Sequence, residues 1–179
     1  MSNSILIMDG DAIARALRRI THEILEHNPD PTAFALIGIP SRGVELARRL
    51  ADLVKATEGR MPEIGSIDVA MHRDDLSLRD TIKSIQETHL PLYLERLTIV
   101  LVDDVLYTGR TCRAAMDAIS SFGRPARIQL AVLLDRGHRE LPIRPDYVGK
   151  NLPTASNEKV KVRLQNVDEQ PDSVRLERP

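Results

Sequence analysis

Two adjacent carboxylates, Asp103 and Asp104, are followed a few residues later by a short loop rich in hydroxyl and backbone N–H groups. Ionised carboxylates only accept hydrogen bonds, so this pair could bind the vicinal hydroxyls of a ribose or hold a hard metal ion through water. The loop, residues 108–111, opens a predicted helix, and the dipole at a helix N-terminus favours a phosphate. Together the two groups predict a phosphosugar site.

The element that positions the carboxylates is a nearly continuous apolar run over residues 97–102, typical of a parallel strand covered on both faces. Such strands present ligand-binding groups at their carboxyl ends. A helix is predicted to follow, ending at about Phe122. Gly109 would let the backbone approach a phosphate closely. The candidate nucleotide-binding residues of this segment are Asp103, Asp104, Tyr107, Thr108, Gly109, Arg110 and Thr111.

A second loop, GIPSRG at residues 38–43, has the glycine spacing of a P-loop, but Val44 stands where that motif requires Lys. Binding of a nucleoside triphosphate through this loop is therefore not expected. The Ser41 hydroxyl, the Arg42 guanidinium and the Gly43 N–H could still bind a pyrophosphate at a strand-to-helix turn. Taken alone, the loop is more typical of a solvated arginine at a helix start, and pyrophosphate binding is favoured only because a second phosphate site is predicted.

Residues 72–91 are polar and only weakly periodic, which predicts a long functional loop. The string RDDLS, residues 73–77, lies at its head. Arg73 could contact a leaving pyrophosphate there, and the carboxylates could assist a metal ion. As an isolated charge cluster the same string would fit an ordinary solvated loop.

The rest of the chain alternates between helical and strand patterns, which predicts an α/β fold with a doubly wound, mostly parallel sheet. One helix should run from a cap at Asp9 or Asp11 to His27, and another should cover residues 44–55. The polar tail after Asp168 is expected to be frayed. We expect a single domain over residues 1–179. The remaining predicted strands cover residues 34–39, 64–71, 128–134 and 159–164.

Composition narrows the classes of function. The chain carries 25 Lys and Arg against 26 Asp and Glu, so any binding to nucleic acid would need a local basic patch. A membrane span and a signal peptide are not evident, and a cytoplasmic protein is expected. Cys112 is the single cysteine, which excludes an internal disulfide and a cysteine cluster for zinc.

Several longer strings resemble known proteins. IVLVDDVLYTGRT resembles the signature for 5-phosphoribosyl-1-pyrophosphate (PRPP) of type I phosphoribosyltransferases. Residues 7–168 as a whole resemble the PyrR family, regulators of pyrimidine biosynthetic operons that also act as uracil phosphoribosyltransferases. The strings that carry this second resemblance are RALRRITHEILEHN, GIPSRGVELARRLA, IDVAMHRDDLS, DRGHRELPIRPDYVGKN and SNEKVKVRL.

The resemblance implies a type I phosphoribosyltransferase fold with a small hood and a flexible loop. It also implies Mg²⁺-dependent transfer of ribose 5-phosphate from PRPP to uracil, which gives UMP and pyrophosphate. Asp103, Asp104 and Arg73 would be catalytic, with Ser41 and Arg42 on the pyrophosphate. Mg²⁺ would arrive mainly with PRPP, with Asp103 and Asp104 as the candidate protein ligands and no metal site firmly assigned. Uracil would be read by the region after Asp135.

The same family binds a hairpin in the leader of pyr messenger RNA, and UMP or UTP strengthens that binding. Arg15 stands beside the candidate residues at helical spacing in the first helix. Pro40 and His27 replace cationic or polar residues common in the family, so weaker RNA binding is expected. The resemblance also implies a homodimer or a larger homo-oligomer. The candidate RNA-binding residues are Arg18, Arg19, His22, Arg139, Arg144 and Lys150.

Two other functions remain open on the sequence alone. The chain could be a phosphoribosyltransferase for another base, such as hypoxanthine or orotate, without a role in RNA binding. It could also be a nucleotide sensor on the same fold that turns over little substrate.

Overall fold

A five-stranded parallel sheet forms the centre of the protein in the computed structural model, which describes residues 3–74 and 86–179. The spatial order of its strands is β3-β2-β4-β5-β6, so the strand that carries the aspartates lies in the middle. The strands are β2 (Phe34–Gly38), β3 (Glu63–Ser66), β4 (Thr98–Leu106), β5 (Arg127–Asp135) and β6 (Tyr147–Asn151).

Helices cover both faces of this sheet, which confirms the predicted doubly wound α/β fold. Helices α1 (Gly10–His27) and α2 (Arg42–Glu58) pack on one face, and α3 (Arg110–Ser120) packs on the other. Phe34 and Leu36 point into the first core, while Ala35 and Ile37 point into the second. Because both faces are buried, the strands are continuous apolar runs rather than alternating ones.

A smaller antiparallel sheet of three strands stands beside the parallel sheet and is called the hood below. It consists of β1 (Asn3–Asp9), β8 (Ser173–Arg178) and β7 (Lys159–Arg163), with β8 in the middle. A short helix, α4 (Gln165–Asp168), follows β7. The hood has no core of its own, because its apolar side chains join the first core of the parallel sheet.

The prediction of a frayed tail after Asp168 is wrong. Val174 and Leu176, on alternate positions of β8, are buried, and the strand pairs with a neighbour on each side. The alternation spans only six residues and is interrupted by charged side chains, such as Glu177, which pairs with Lys161 at 2.8 Å. A segment this short and polar looks unstructured until its partner strands are known.

The structure confirms the predicted boundaries of α1. Asp9, one of the two candidate caps, accepts a hydrogen bond from Ala12 N at 2.8 Å, and the helix ends at His27. Strand β3 ends earlier than predicted, at Ser66, because Asp68 turns the chain by accepting a hydrogen bond from Ala70 N at 3.0 Å. Strands β1 and β6 were not predicted.

The long loop expected over residues 72–91 falls partly outside the described residues, and so do residues 75–77 of the RDDLS string. Arg73 and Asp74, at its head, are described. Across residues 3–74 and 86–179, the helices are all too short or too polar to cross a bilayer.

Candidate active site

The two aspartates lie where the central strand extends beyond one of its neighbours. Strand β2 ends at Gly38, which is opposite Val102, so on that side none of the strands in residues 3–74 and 86–179 lies beside Asp103 and Asp104. On the other side β5 continues, with Val132 opposite Asp103. The carboxylates therefore lie at the edge of a cleft, and β4 runs on to Leu106 instead of ending at residue 102.

The aspartate pair is held by backbone hydrogen bonds. Asp103 Oδ1 accepts from Asp104 N, and Asp104 Oδ1 accepts from Val105 N, both at 2.9 Å. Burial raises the pKa of the Asp103 carboxyl well above its usual range, and the neighbouring Asp104 charge adds to this rise, while Arg73 opposes it. Hydroxyl donors or cations brought by a ligand would therefore stabilise the ionised pair.

The Thr-Gly loop, residues 108–111, lines a pocket together with Asp103. Gly109 has a φ of 95°, a left-handed conformation that turns the chain directly into α3. A Cβ on Gly109 would lie 3.3 Å from the Ile143 side chain, so the loop also packs tightly from behind. The pocket is lined by Arg73, Asp103, Val105, Leu106, Tyr107, Thr108, Gly109, Thr111, Cys112, Leu130 and Val132.

Arg110 is the loop residue whose side chain does not line this pocket. Its guanidinium donates to Glu140 at 2.7 Å and to Asp74 at 3.1 Å. Its backbone N–H lies 3.3 Å from Thr108 Oγ1, inside the loop. The contribution expected of Arg110 to phosphate binding is therefore reduced to its main chain.

The second predicted loop lies on the other side of the aspartates. The peptide bond between Pro40 and Ser41 is cis. A Cβ on Gly43 would lie 2.3 Å from Val102 O, so only glycine allows α2 to begin this close to β4. Arg42, the first residue of α2, lines a pocket together with Asp104 and hood residues. Each aspartate thus lines a different pocket, Asp103 with the Thr-Gly loop and Asp104 with Arg42.

Cys112 lies beneath the pocket, in the first turn of α3. Burial raises the pKa of its thiol to about 12, and the Asp103 charge acts in the same direction. A thiol with such a pKa stays protonated at neutral pH, so Cys112 is a packing residue and not a nucleophile.

Two arginines contact Tyr107, one of the residues that line this pocket. Arg136, which gave no signal in the sequence, lies over the Tyr107 ring with its guanidinium carbon 4.2 Å from the ring centre. Arg139, expected on an RNA-binding face, instead donates to Tyr107 O at 2.9 Å, to Ile143 O at 2.8 Å and to Asp135. The contacts of both arginines with Tyr107 join segments about 30 residues apart in sequence, so no local pattern could indicate those contacts.

The other candidate RNA-binding residues are exposed on α1, on β6 and in the loop before β6. Arg18 and His22 are exposed on α1, and Lys150 is exposed on β6. Arg19 joins the two elements, because its Nη2 donates to Val148 O at 3.0 Å and to Gly149 O. Arg144, in the loop before β6, is also exposed. We call this set, without Arg139, the basic face.

The donor set of the site fits a magnesium ion that is bound mainly by its ligand. Within the described ranges, three or more His, Cys, Asp or Glu side chains do not gather anywhere in a group that could hold a metal. Asp103 and Asp104 are a pair of carboxylates that line two pockets, one with the Thr-Gly loop and one with Arg42. Mg²⁺ is usually held by one or two carboxylates together with substrate phosphates and water, which is what this pair could offer.

Comparisons with known proteins agree with this geometry. The family described as phosphoribosyl transferase domain matches residues 6–166. The chain is 51% identical over 177 residues to the bifunctional protein PyrR of Listeria monocytogenes, covering 97% of each chain. It is 49% identical over 172 residues to the protein of the same name from Bacillus cereus, covering 95% of this chain and 96% of that one.

Solved structures support the fold. The hypoxanthine phosphoribosyltransferase of Trypanosoma cruzi is 17% identical, with a TM-score of 0.72 over 97% of this chain and 96% of that one. The hypoxanthine phosphoribosyltransferase of Staphylococcus aureus is 16% identical, with a TM-score of 0.69 over 95% of this chain and 90% of that one. At such identities the likeness concerns the fold and not the base that is bound.

Proposed function

This chain belongs to the phosphoribosyl transferase domain family, and we propose that it transfers the ribose 5-phosphate group of PRPP to N1 of uracil. The products are UMP and pyrophosphate. The observation that carries the proposal is that Asp103 lines a pocket with the Thr-Gly loop and Asp104 lines a pocket with Arg42, which would suit the two phosphorylated ends of PRPP. The identity of about half of the residues with proteins named bifunctional PyrR supports uracil as the acceptor.

The aspartates act on the ribose. As the bond between C1 and the pyrophosphate oxygen breaks and the bond to N1 of uracil forms, the ribose acquires oxocarbenium character. Asp103 and Asp104 accept hydrogen bonds from the ribose hydroxyls and supply a negative field that stabilises this charge. The hydrogen bonds from the backbone fix the carboxylates before the substrate arrives.

The two walls hold the ends of the donor. Thr108, Gly109 and Thr111 offer hydroxyl and N–H groups to the 5-phosphate at the start of α3. Arg42, which lines the pocket with Asp104, binds the departing pyrophosphate together with the preceding Ser41, and Arg73, which lines the pocket with Asp103, assists. Holding both ends fixes C1 between them, so that the reacting atoms meet in a productive orientation.

Magnesium would enter the site with PRPP. Asp103 and Asp104 are the side chains that would contribute to its coordination, directly or through water. When bound, the ion supplies positive charge that stabilises the pyrophosphate as a leaving group.

The activity is tested by incubating the purified protein with PRPP, Mg²⁺ and one base at a time, with pyrophosphate release as the readout. Release with uracil supports the proposal. Release only with hypoxanthine or orotate would assign the chain to another base, and no release with any base would leave a nucleotide sensor.

The exposed basic face favours a second function, the binding of the pyr leader hairpin in an UMP- or UTP-dependent manner. Arginine and lysine side chains on one surface can follow RNA phosphates. Both RNA and nucleotides are cytoplasmic, so the protein acts there. A mobility-shift titration of the native leader transcript, with and without UMP, tests this function.

We also propose a homodimer or larger homo-oligomer, which light scattering of the purified protein would measure.

A further inference from the structure

The hood reaches the pyrophosphate side of the site through one ion pair. Asp168, at the end of α4, accepts two hydrogen bonds from Arg42, with Nε to Oδ2 at 3.0 Å and Nη2 to Oδ1 at 2.6 Å. The pair is half-buried. The Arg42 guanidinium lowers the pKa of the Asp168 carboxyl, so this acid is ionised at neutral pH.

Asp168 is itself fixed to the core. Its N–H donates to Leu164 O at 2.7 Å, and its Oδ2 accepts from Leu164 N at 2.8 Å. The Leu164 side chain is fully buried in the first core. The position of the carboxylate is therefore set by the packed interior rather than by a mobile surface chain.

The pairing uses only part of the guanidinium. Arginine has five N–H donors in a planar fork, and Asp168 accepts from Nε and Nη2. Over residues 3–74 and 86–179, Nη1 of Arg42 makes no hydrogen bond with the protein. Arg42 lines the pocket beside Asp104, and the Asp104 charge is close enough to favour the charged guanidinium. The Nη1 edge is thus the one left for a ligand.

We propose that Asp168 is a positioning residue for the pyrophosphate of PRPP. It holds Arg42 by one edge of the guanidinium, so that the other edge can bind the pyrophosphate beside Asp104. Without this anchor the long side chain would spend more time in other rotamers, and its ordering would have to be completed when the substrate binds. The inference rests on the proposed function of this site.

A second ion pair in the same segment provides a matched control. Asp172 pairs with Arg49 of α2, with Nη2 to Oδ1 at 3.2 Å and a second contact through Nη1. The side chains of Asp168 and Asp172 are equally exposed, at 18%. Each also accepts a backbone hydrogen bond, which comes from Gln165 N in the case of Asp172. Asp172 does not line the pocket beside Asp104.

The test compares Asp168→Asn with Asp172→Asn in initial-rate measurements with PRPP and uracil varied separately. For Asp168→Asn we expect the KM for PRPP and the inhibition constant of pyrophosphate to rise about tenfold. The kcat and the KM for uracil should stay within about twofold of wild type. Asp172→Asn should leave all four values near wild type, although both variants lower the Tm. Equal kinetic effects in the two variants, or an unchanged KM for PRPP in Asp168→Asn, would overturn the proposal.

Two further measurements keep the test decisive. If Asp168→Asn does not fold, Asp168→Glu, which keeps the charge but shifts the carboxylate, should raise the KM for PRPP several-fold more than Asp172→Glu does. If wild type releases no pyrophosphate from PRPP, the proposed function fails, and calorimetry with Mg²⁺ and inorganic pyrophosphate tests Asp168 by itself. Weaker binding in the Asp168 variant alone supports the inference, and equal binding in all proteins overturns it.

Discussion

Asp103 and Asp104 are neighbours in the sequence, yet each serves a different side of the same cleft. Asp103 lines the pocket formed with the Thr-Gly loop, and Asp104 lines the pocket formed with Arg42 and the hood. An extended strand sends successive side chains to opposite faces, so a single strand supplies both. Two adjacent acids on the central strand thus line two different pockets, which the proposed function assigns to the two ends of PRPP.

Replacement of Asp103 by asparagine should separate catalysis from stability. We expect Asp103→Asn to lower kcat/KM by about 100-fold or more, since a charge preorganised for the transition state is lost. The same variant should have a higher Tm than wild type at pH 8, because burial disfavours the ionised wild-type carboxyl in the folded protein relative to the unfolded chain. Steady-state assays and thermal unfolding of both proteins check the two effects.

The pH dependence of this gain follows from the direction of the pKa shift. The pKa of Asp103 is higher in the folded protein than in the unfolded chain, so wild type loses stability as the pH rises from about 4 through the folded value. The gap in Tm between variant and wild type should therefore close as the pH falls toward about 4. A wild-type Tm equal to or above that of the variant at pH 8 would contradict this prediction.

At the residue scale, the sequence was sufficient to predict those parts of the site that lie close together in the chain. The aspartate pair and the Thr-Gly loop lie within nine residues, so one strand and one turn bring them together. The partners of the Arg110 side chain could not be predicted, since they lie in loops 30 or more residues away. The same holds for the contact of Arg139 with Tyr107. Its contact with the nearby Asp135 depends on how the fold orients that carboxylate. Ion pairs between loops leave no periodic trace in a sequence.

At the element scale, the contact between α2 and β4 sets the width of the cleft. Gly43→Ala should lower the free energy of unfolding by about 1–3 kcal/mol and impair PRPP turnover, because the new methyl group would meet the backbone of Val102. Gly10→Ala is the control. Gly10 also lies at a helix start, but its Cβ would make an ordinary contact at 3.6 Å with Asp172. Chemical denaturation should detect no comparable loss in the control.

Because β8 is the central strand of the hood and not a frayed tail, a substitution at a buried position in it should lower the free energy of unfolding. Val174 is fully buried and lies in the central strand of the hood, so Val174→Ala should cost about 1–3 kcal/mol of unfolding free energy. Arg175→Ala, on the opposite face of the same strand, should change it by less than about 0.5 kcal/mol. Denaturant titrations of the two variants measure the difference. Equal and small effects would mean that the tail contributes nothing to the fold.

Elements with a continuous apolar run or a clear period were predictable, and three strands at the chain ends or the sheet edge were not. The strands of the parallel sheet that carry the core appear as continuous apolar runs, and α1 shows a clear helical period with a cap. Strands β1, β6 and β8 have five to seven residues, and their burial depends on partners that are distant in sequence. The hydrophobic periodicity of one segment carries no information about such partners.

At the scale of the whole molecule, the segment between β5 and β6 links the cleft to the basic face. It begins at Asp135, where Arg139 anchors the loop that carries Tyr107, and it continues through Arg144 to Lys150. Arg19 then joins the end of this segment to α1. A ligand that orders the pocket wall could therefore influence the surface proposed to bind RNA, through one continuous piece of chain.

Substitutions on the basic face should weaken RNA binding without affecting the enzyme. Arg144→Ala and Lys150→Ala remove exposed cations, so each should lower the affinity for the leader hairpin and reduce the slope of log K against log salt by about 1. Turnover of PRPP should stay near wild type. Arg124→Ala is the matched control, because this exposed arginine precedes β5 and so lies at the amino end of that strand, whereas Lys150 pairs near its carboxyl end. Filter-binding titrations at several salt concentrations measure both quantities, and an equal loss in all three variants would indicate only a general charge effect.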